Sequence, residues 1–91
     1  MNKSEIITEI SSKTGEDKKK VENFIEAFMG TVINALSQSD KVQLLGFGTF
    51  LIRHREARIG RSPRDGANIQ IPASNSPVFK PGKSFKDAVN S

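Results

Sequence analysis

Gly46-Phe47-Gly48-Thr49-Phe50-Leu51-Ile52-Arg53-His54-Arg55-Glu56-Ala57-Arg58-Ile59-Gly60-Arg61-Ser62-Pro63-Arg64-Asp65-Gly66 is the stretch whose reading decides the fold. It begins as a core strand, with Phe47, Phe50 and Ile52 to bury, and from Arg53 onward it is too charged to lie in any core. The chain has five arginines, Arg53, Arg55, Arg58, Arg61 and Arg64, and all of them fall within these twelve positions. Ser62 to Gly66 reads as a turn, in which Pro63 fixes one backbone angle and Gly66 is free to take positive φ. Beyond it an extended pattern resumes through Ile69, Ile71 and Val78. The simplest geometry is a hairpin with a hydrophobic base and a projecting distal part, lined with guanidinium groups and tipped by a proline. Such a stalk needs a polyanion to lie against.

On the N-terminal side two helices are expected. Asn2 can cap the first, with Glu5 three residues on completing a capping box. Ile6, Ile7 and Ile10 make its apolar face, and Gly15 suits the left-handed position past its end. Asp17 can cap the second helix, whose Val21, Phe24, Ile25, Phe28, Met29, Val32, Ile33 and Leu36 recur every three or four residues. Gly30 inside it costs about 1 kcal/mol relative to Ala, which a close helix crossing at a dimer centre would explain. Val42 and Leu44 alternate in a short strand, and Gly46-Phe47-Gly48 bends into the next. On the C-terminal side a return strand is expected from about Asn68 to Lys80. Pro72 and Pro77 within it require exposed edges. Gly82 then opens a last short helix with Phe85, Ala88 and Val89 on one side.

Ninety-one residues make one domain. There are no cysteines, so neither disulfides nor a thiolate metal site is available. No apolar run approaches the length of a membrane span, and the first helix is too charged for a signal peptide. The expected setting is soluble and intracellular. Charge is uneven: residues 1–52 carry six basic and seven acidic groups, residues 53–91 eight basic and three acidic. The second half is therefore suited to a polyanionic partner. If roughly 25 residues form a projecting arm, only about 66 remain for the body, and a domain of that size is marginal alone. The second helix nevertheless carries more apolar surface than a small monomer can cover. Sharing that surface across a two-fold axis is the commonest solution.

Several chemistries are excluded. A helix-turn-helix needs a recognition helix with a polar groove-facing surface, whereas the second helix is the most hydrophobic element. Gly46-Phe47-Gly48 is no dinucleotide loop, because position 51 is Leu and no βαβ unit follows. His54, the only histidine, alternates onto the strand face of Phe50 and Ile52 and reads as an arm residue. Glu5 with Glu9, and Glu22 with Glu26, lie one helical turn apart without a histidine to complete a metal site. There is no nucleophile–base pair and no phosphate loop, so no enzyme, cofactor, metal or small-molecule ligand is expected. Lys18, Lys19 and Lys20 read first as a solvated run and second as contacts to flanking phosphates. Lys80, Lys83 and Lys86 recur every third residue around the start of the last helix, where amide groups already favour phosphate.

Gly46-Phe47-Gly48-Thr49-Phe50, Arg58-Ile59-Gly60-Arg61, a tip proline and glycine, Ile71-Pro72-Ala73-Ser74 and Phe79-Lys80-Pro81-Gly82-Lys83 together resemble the bacterial histone-like HU family and its relative, integration host factor. With the two helices, the resemblance covers essentially the whole chain. Two positions depart from the family pattern: Ser62 stands where Asn usually precedes the tip proline, and Asp65 where Thr usually precedes the tip glycine. The resemblance implies an α+β fold: a helical dimerisation base, a small antiparallel β-sheet saddle and a long protruding β-hairpin arm, in an intertwined dimer. Residues 1–52 and 78–91 would form the body and about 53–77 the arm. Proteins of this kind, HU and integration host factor among them, insert apolar wedges between base steps and bend the duplex. The resemblance gives Pro63 that role.

The expected function is architectural: minor-groove binding of duplex DNA with little base specificity, together with bending and compaction. Arginine suits phosphate and narrow minor grooves, and minor-groove readout is degenerate. About eleven residues per arm strand, at roughly 3.3 Å each, reach about 35 Å, comparable to one duplex turn. The expected DNA-binding residues are Arg53, Arg55, Arg58, Arg61, Ser62, Pro63, Arg64, Lys80, Lys83 and Lys86, with Lys3 added by resemblance. The expected dimer interface is Phe28, Val32, Leu36, Leu44, Phe47, Phe50 and Phe79. A homodimer is expected, with a paralogue heterodimer as the variant, in the cytoplasm on the nucleoid. The alternatives are a sequence-preferring subunit of the integration-host-factor type and, in a different class, a module that uses the arm to bind protein or anionic membrane.

Overall fold

The computed structural model describes residues 1–91 as three helices and five strands. They are α1 (Lys3–Thr14), α2 (Lys18–Ser37), β1 (Val42–Leu44), β2 (Gly48–Arg55), β3 (Arg58–Arg61), β4 (Asn68–Ile71), β5 (Ser74–Pro81) and α3 (Lys83–Val89). The chain divides into two compact units, Met1–Asn34 and Ala35–Ser91.

The first unit contains α1 and most of α2. The expected capping box is present: the Glu5 amide donates to Asn2 Oδ1 at 2.9 Å, and the Asn2 amide to Glu5 Oε1 at 3.2 Å. Gly15 ends α1 at φ 75°, its amide donating to the Ser11 carbonyl. Asp17 caps α2, its Oδ2 accepting from the Lys19 amide at 3.2 Å and its carbonyl from the Val21 amide. Ile7, Val21 and Val32 are the buried apolar residues of this unit. Ile25 is half-buried, and four members of the α2 stripe are open: Phe24 is 61% exposed, Phe28 46%, Met29 41% and Ile33 68%.

The second unit is built on a three-stranded antiparallel sheet of order β1-β2-β5. Gly46 takes φ 83° in the tight turn from β1 to β2, where the Phe47 amide meets the Leu44 carbonyl. Gly48 is required by crowding. A Cβ there would lie 2.5 Å from the Phe79 ring and 2.6 Å from the Lys80 carbonyl. Phe50 pairs with Phe79 across β2 and β5, with ring centroids 4.8 Å apart. Phe79 also meets Phe47 (5.2 Å), and Phe85 of α3 closes on Phe47 (5.3 Å) and Phe79 (6.0 Å). Such offset aromatic pairs contribute about 0.5–1.5 kcal/mol each beyond area burial.

One sequence expectation needs correction. The return strand is not continuous from Asn68 to Lys80. It stops at Pro72-Ala73, and the outgoing strand stops opposite, at Glu56-Ala57. Register is kept across the gap: Arg55 pairs with Ser74 and Arg58 with Ile71, so two residues on each strand are skipped and no bulge is inserted. Pro72 has no amide to give the ladder, which removes one of the bonds that would have bridged this point. Pro77 is tolerated in β5 because β5 is an edge strand, as anticipated.

Candidate nucleic-acid interface

The arginines are carried by the distal end of the β2–β5 pair, by the separate β3–β4 ribbon and by the turn that joins β3 to β4. Arg53 faces Ser76 and Arg55 faces Ser74 in register. Arg58 faces Ile71 and Arg61 faces Asn68. No acid stands opposite any of them. All five, Arg64 included, are exposed and none takes part in an ion pair; the five ion pairs of the structure involve lysines. Both acids of the arm are engaged locally. Glu56 lies 3.2 Å from His54 Nε2, and Asp65 Oδ1 accepts the Ala67 amide at 3.0 Å. His54 Nδ1 lies 2.8 Å from Asn75 Oδ1 across the strands, so the lone histidine is an arm residue in a cross-strand contact.

Gly60 makes room within the ribbon. A Cβ there would come within 2.6 Å of Ile71 Cδ1. The tip runs from Ser62 to Ala67, with the Ser62 amide donating to the Ala67 carbonyl at 2.8 Å and the Gly66 amide to the Ser62 carbonyl at 3.0 Å. Gly66 takes φ 72°, the left-handed geometry open to glycine. Pro63 sits exposed in this turn, between Arg61 and Arg64. Ser62 Oγ accepts from the Arg64 amide at 3.3 Å. Ser62 and Asp65 thus act as turn formers, a role the DNA-contact expectation for Ser62 did not include. Its sequence signal is the tendency of Ser and Asp to hydrogen-bond the backbone two residues on.

The lysines differ among themselves. Lys80 is exposed on β5 opposite Thr49. Lys86 is exposed on α3, and Lys83 pairs with Asp87 at 3.2 Å. Lys3, in the first unit, is held by Glu26 at 2.7 Å. That hydrogen bond and the attached charge raise the Lys3 ammonium above its ordinary range and hold the Glu26 carboxyl below its own. Lys19 and Lys20 pair with Glu22 and Glu16, in keeping with a solvated run.

The expected interface residues also separate. Phe28 is open, whereas Val32 and Leu36 are already covered in the single chain. Leu44, Phe50 and Phe79 are half-buried and Phe47 is 44% exposed. Phe24 and Ile33, which the interface expectation omitted, are the most open members of the α2 stripe. Periodicity places them on that stripe but cannot say which of its edges the chain itself covers.

An antiparallel ribbon of unpaired arginines with a proline turn, attached to a helix-bearing unit, defines a nucleic-acid-binding class of α+β protein. The chain belongs to the bacterial DNA-binding protein family, whose model matches residues 1–90. It is 47% identical over 89 residues to the DNA-binding protein HU of Geobacillus stearothermophilus, covering 98% of this chain and 99% of that one. With the HU of Clostridium pasteurianum it shares 51% over 90 residues, covering 99% of each. Among solved structures it is similar to Anabaena HU in a cocrystal with DNA, at a TM-score of 0.89 and 40% identity, covering 98% of this chain and 97% of that one. No helix is long and apolar enough to cross a membrane.

Proposed function

We propose that this chain is a histone-like architectural protein that binds duplex DNA through the minor groove with low sequence specificity, and bends and compacts it as a homodimer. The observation that carries the reading is the set of five exposed arginines, none in an ion pair, along the distal end of β2, the β3–β4 ribbon and the Pro63 turn. Guanidinium groups without protein partners are free to neutralise phosphate and enter a narrow minor groove. Membership of the bacterial DNA-binding family and likeness to an HU seen in a cocrystal with DNA support it.

In this reading residues 1–52 and 78–91 form the body and 53–77 the arm. Arg53, Arg55, Arg58, Arg61 and Arg64 contact phosphate and groove, and Pro63 wedges a base step. Lys80, Lys83 and Lys86 meet flanking phosphates. Lys3 joins them only where a phosphate displaces Glu26. The second copy covers Phe24, Phe28, Met29 and Ile33. It also gives Gly30 its close neighbour, since a Cβ at Gly30 meets nothing within 4 Å in the single chain. The role is binding and shaping rather than catalysis, on the nucleoid of a bacterial cytoplasm.

The test is a titration of linear, nicked and pre-bent duplexes of unrelated sequence over a salt series. The expected outcome is a steep fall of affinity with salt, similar constants on unrelated sequences and tighter binding to nicked and pre-bent DNA. Discrimination well beyond a hundredfold between a chosen site and random duplex would overturn the low-specificity reading.

A further inference from the structure

The turn that carries Pro63 is held by its own side chains. Backbone bonds from Ser62 to the Ala67 carbonyl and from Gly66 to the Ser62 carbonyl close it. Ser62 Oγ then takes the Arg64 amide, and Asp65 Oδ1 takes the Ala67 amide at 3.0 Å. Both polar backbone groups of Ala67 are therefore used, one on Ser62 and the other on Asp65. A carboxylate at the end of an arginine-lined arm is electrostatically at odds with a polyanionic partner. Yet here one of its oxygens serves as the acceptor for an amide that would otherwise rely on water.

We propose that Asp65 is a positioning residue of the arm tip: by holding the Ala67 amide it fixes the turn that presents Pro63, so its acceptor oxygen serves DNA bending while its charge opposes DNA binding. The proposal rests on the DNA-bending reading above. Its physical basis is preorganisation. A wedge held in one conformation inserts without the ordering cost that a loose turn must meet on binding. The acceptor and the charge act on different observables and can be separated by substitution. Asp65→Asn keeps an oxygen at the Oδ1 position and removes the charge. Asp65→Ser keeps a weaker acceptor of the same turn type, and guards against deamidation of the Asn-Gly step that Asp65→Asn creates. Asp65→Ala removes both acceptor and charge.

The experiment uses the full chain and two readouts. Without DNA, exchange of the Ala67 amide is followed by NMR. Asp65→Ala should speed it about tenfold, and Asp65→Asn should leave it within about threefold of wild type, since only the former loses the acceptor. With DNA, affinity is measured for a nicked duplex and for the intact duplex of the same sequence, and bending by energy transfer between end-attached dyes. All three variants should bind intact duplex a few-fold more tightly, because each removes the same repulsion. Asp65→Asn should keep the wild-type preference for nicked DNA and its bend, Asp65→Ser should be intermediate, and Asp65→Ala should lose at least half of the preference and bend less. If Asp65→Ala and Asp65→Asn match in amide exchange, preference and bend, Asp65 acts through charge alone and the proposal falls. A wild-type protein that bends neither duplex removes the bending reading itself. A wild type that bends, beside an Asp65→Ala that bends equally, removes only the positioning role.

Discussion

The apolar stripe of α2 and the arginine ribbon of the arm are both left without partners by the single chain, for opposite physical reasons. Phe24, Phe28, Met29 and Ile33 expose hydrocarbon, whose burial is non-directional and is held or strengthened, not weakened, by added salts such as sulfate. The arginines expose charge, whose neutralisation by a polyanion releases counterions and weakens steeply as salt rises. One surface is suited to a second copy of the chain and the other to DNA. The two associations should therefore respond to different solution variables and be separable by mutation.

The largest effect should come from the α2 face. Phe28→Ala is expected to cost about 3–5 kcal/mol and to lower the unfolding midpoint at every protein concentration, because the ring is half open until a second subunit covers it. Unfolding followed over a hundredfold dilution checks this. A wild-type midpoint that stayed put would break the comparison, since the stripe would then have no obligate partner. Next come the ribbon arginines. Arg58→Ala or Arg61→Ala, each present twice in a homodimer, should reduce the slope of log affinity against log salt by about 0.9 for every phosphate left without its guanidinium. Thermal stability should hardly change, because neither side chain has an ion-pair partner within the protein. Weaker binding at an unchanged slope would take the arginines out of the phosphate role.

Pro63→Ala sharpens the comparison within the arm. It removes a rigid apolar body from the tip and leaves every guanidinium in place. Bending and the preference for nicked DNA should fall more than affinity for straight duplex, as followed by energy transfer between duplex ends. Bending as full as wild type would reduce Pro63 to a turn former.

The smallest effect should be at Lys3–Glu26, an exposed pair of the kind that contributes little. Glu26 is held below its ordinary range, so its contribution is present at neutral pH and lost as pH falls through the lowered folded value. Lys3 is raised, so its contribution persists through neutral pH and is lost only as pH rises through the raised folded value. The difference in unfolding midpoint between wild type and Lys3→Met should accordingly be small at neutral pH and close in acid. A difference that grew in acid would contradict the pairing.

Local chemistry made most of this molecule legible in the sequence. The capping box at Asn2 and Glu5, the left-handed Gly15, the three-and-four spacing along α2 and the turn at Pro63 each depend on a few neighbouring residues, so short-range rules suffice. The concentration of all five arginines in twelve positions located the candidate interface without any knowledge of the fold, because charge density is a property of composition. Tertiary structure decided what depends on residues far apart in the chain. It gathered Phe47, Phe50, Phe79 and Phe85 into one ring cluster, and broke both arm strands at the same level. It covered Val32 and Leu36 while leaving Phe24 and Ile33 open. It also gave Asp65 an amide to hold, where charge alone had made that residue an obstacle to DNA. Spacing along a chain specifies which face a side chain occupies; only the folded chain specifies which other atoms reach that face.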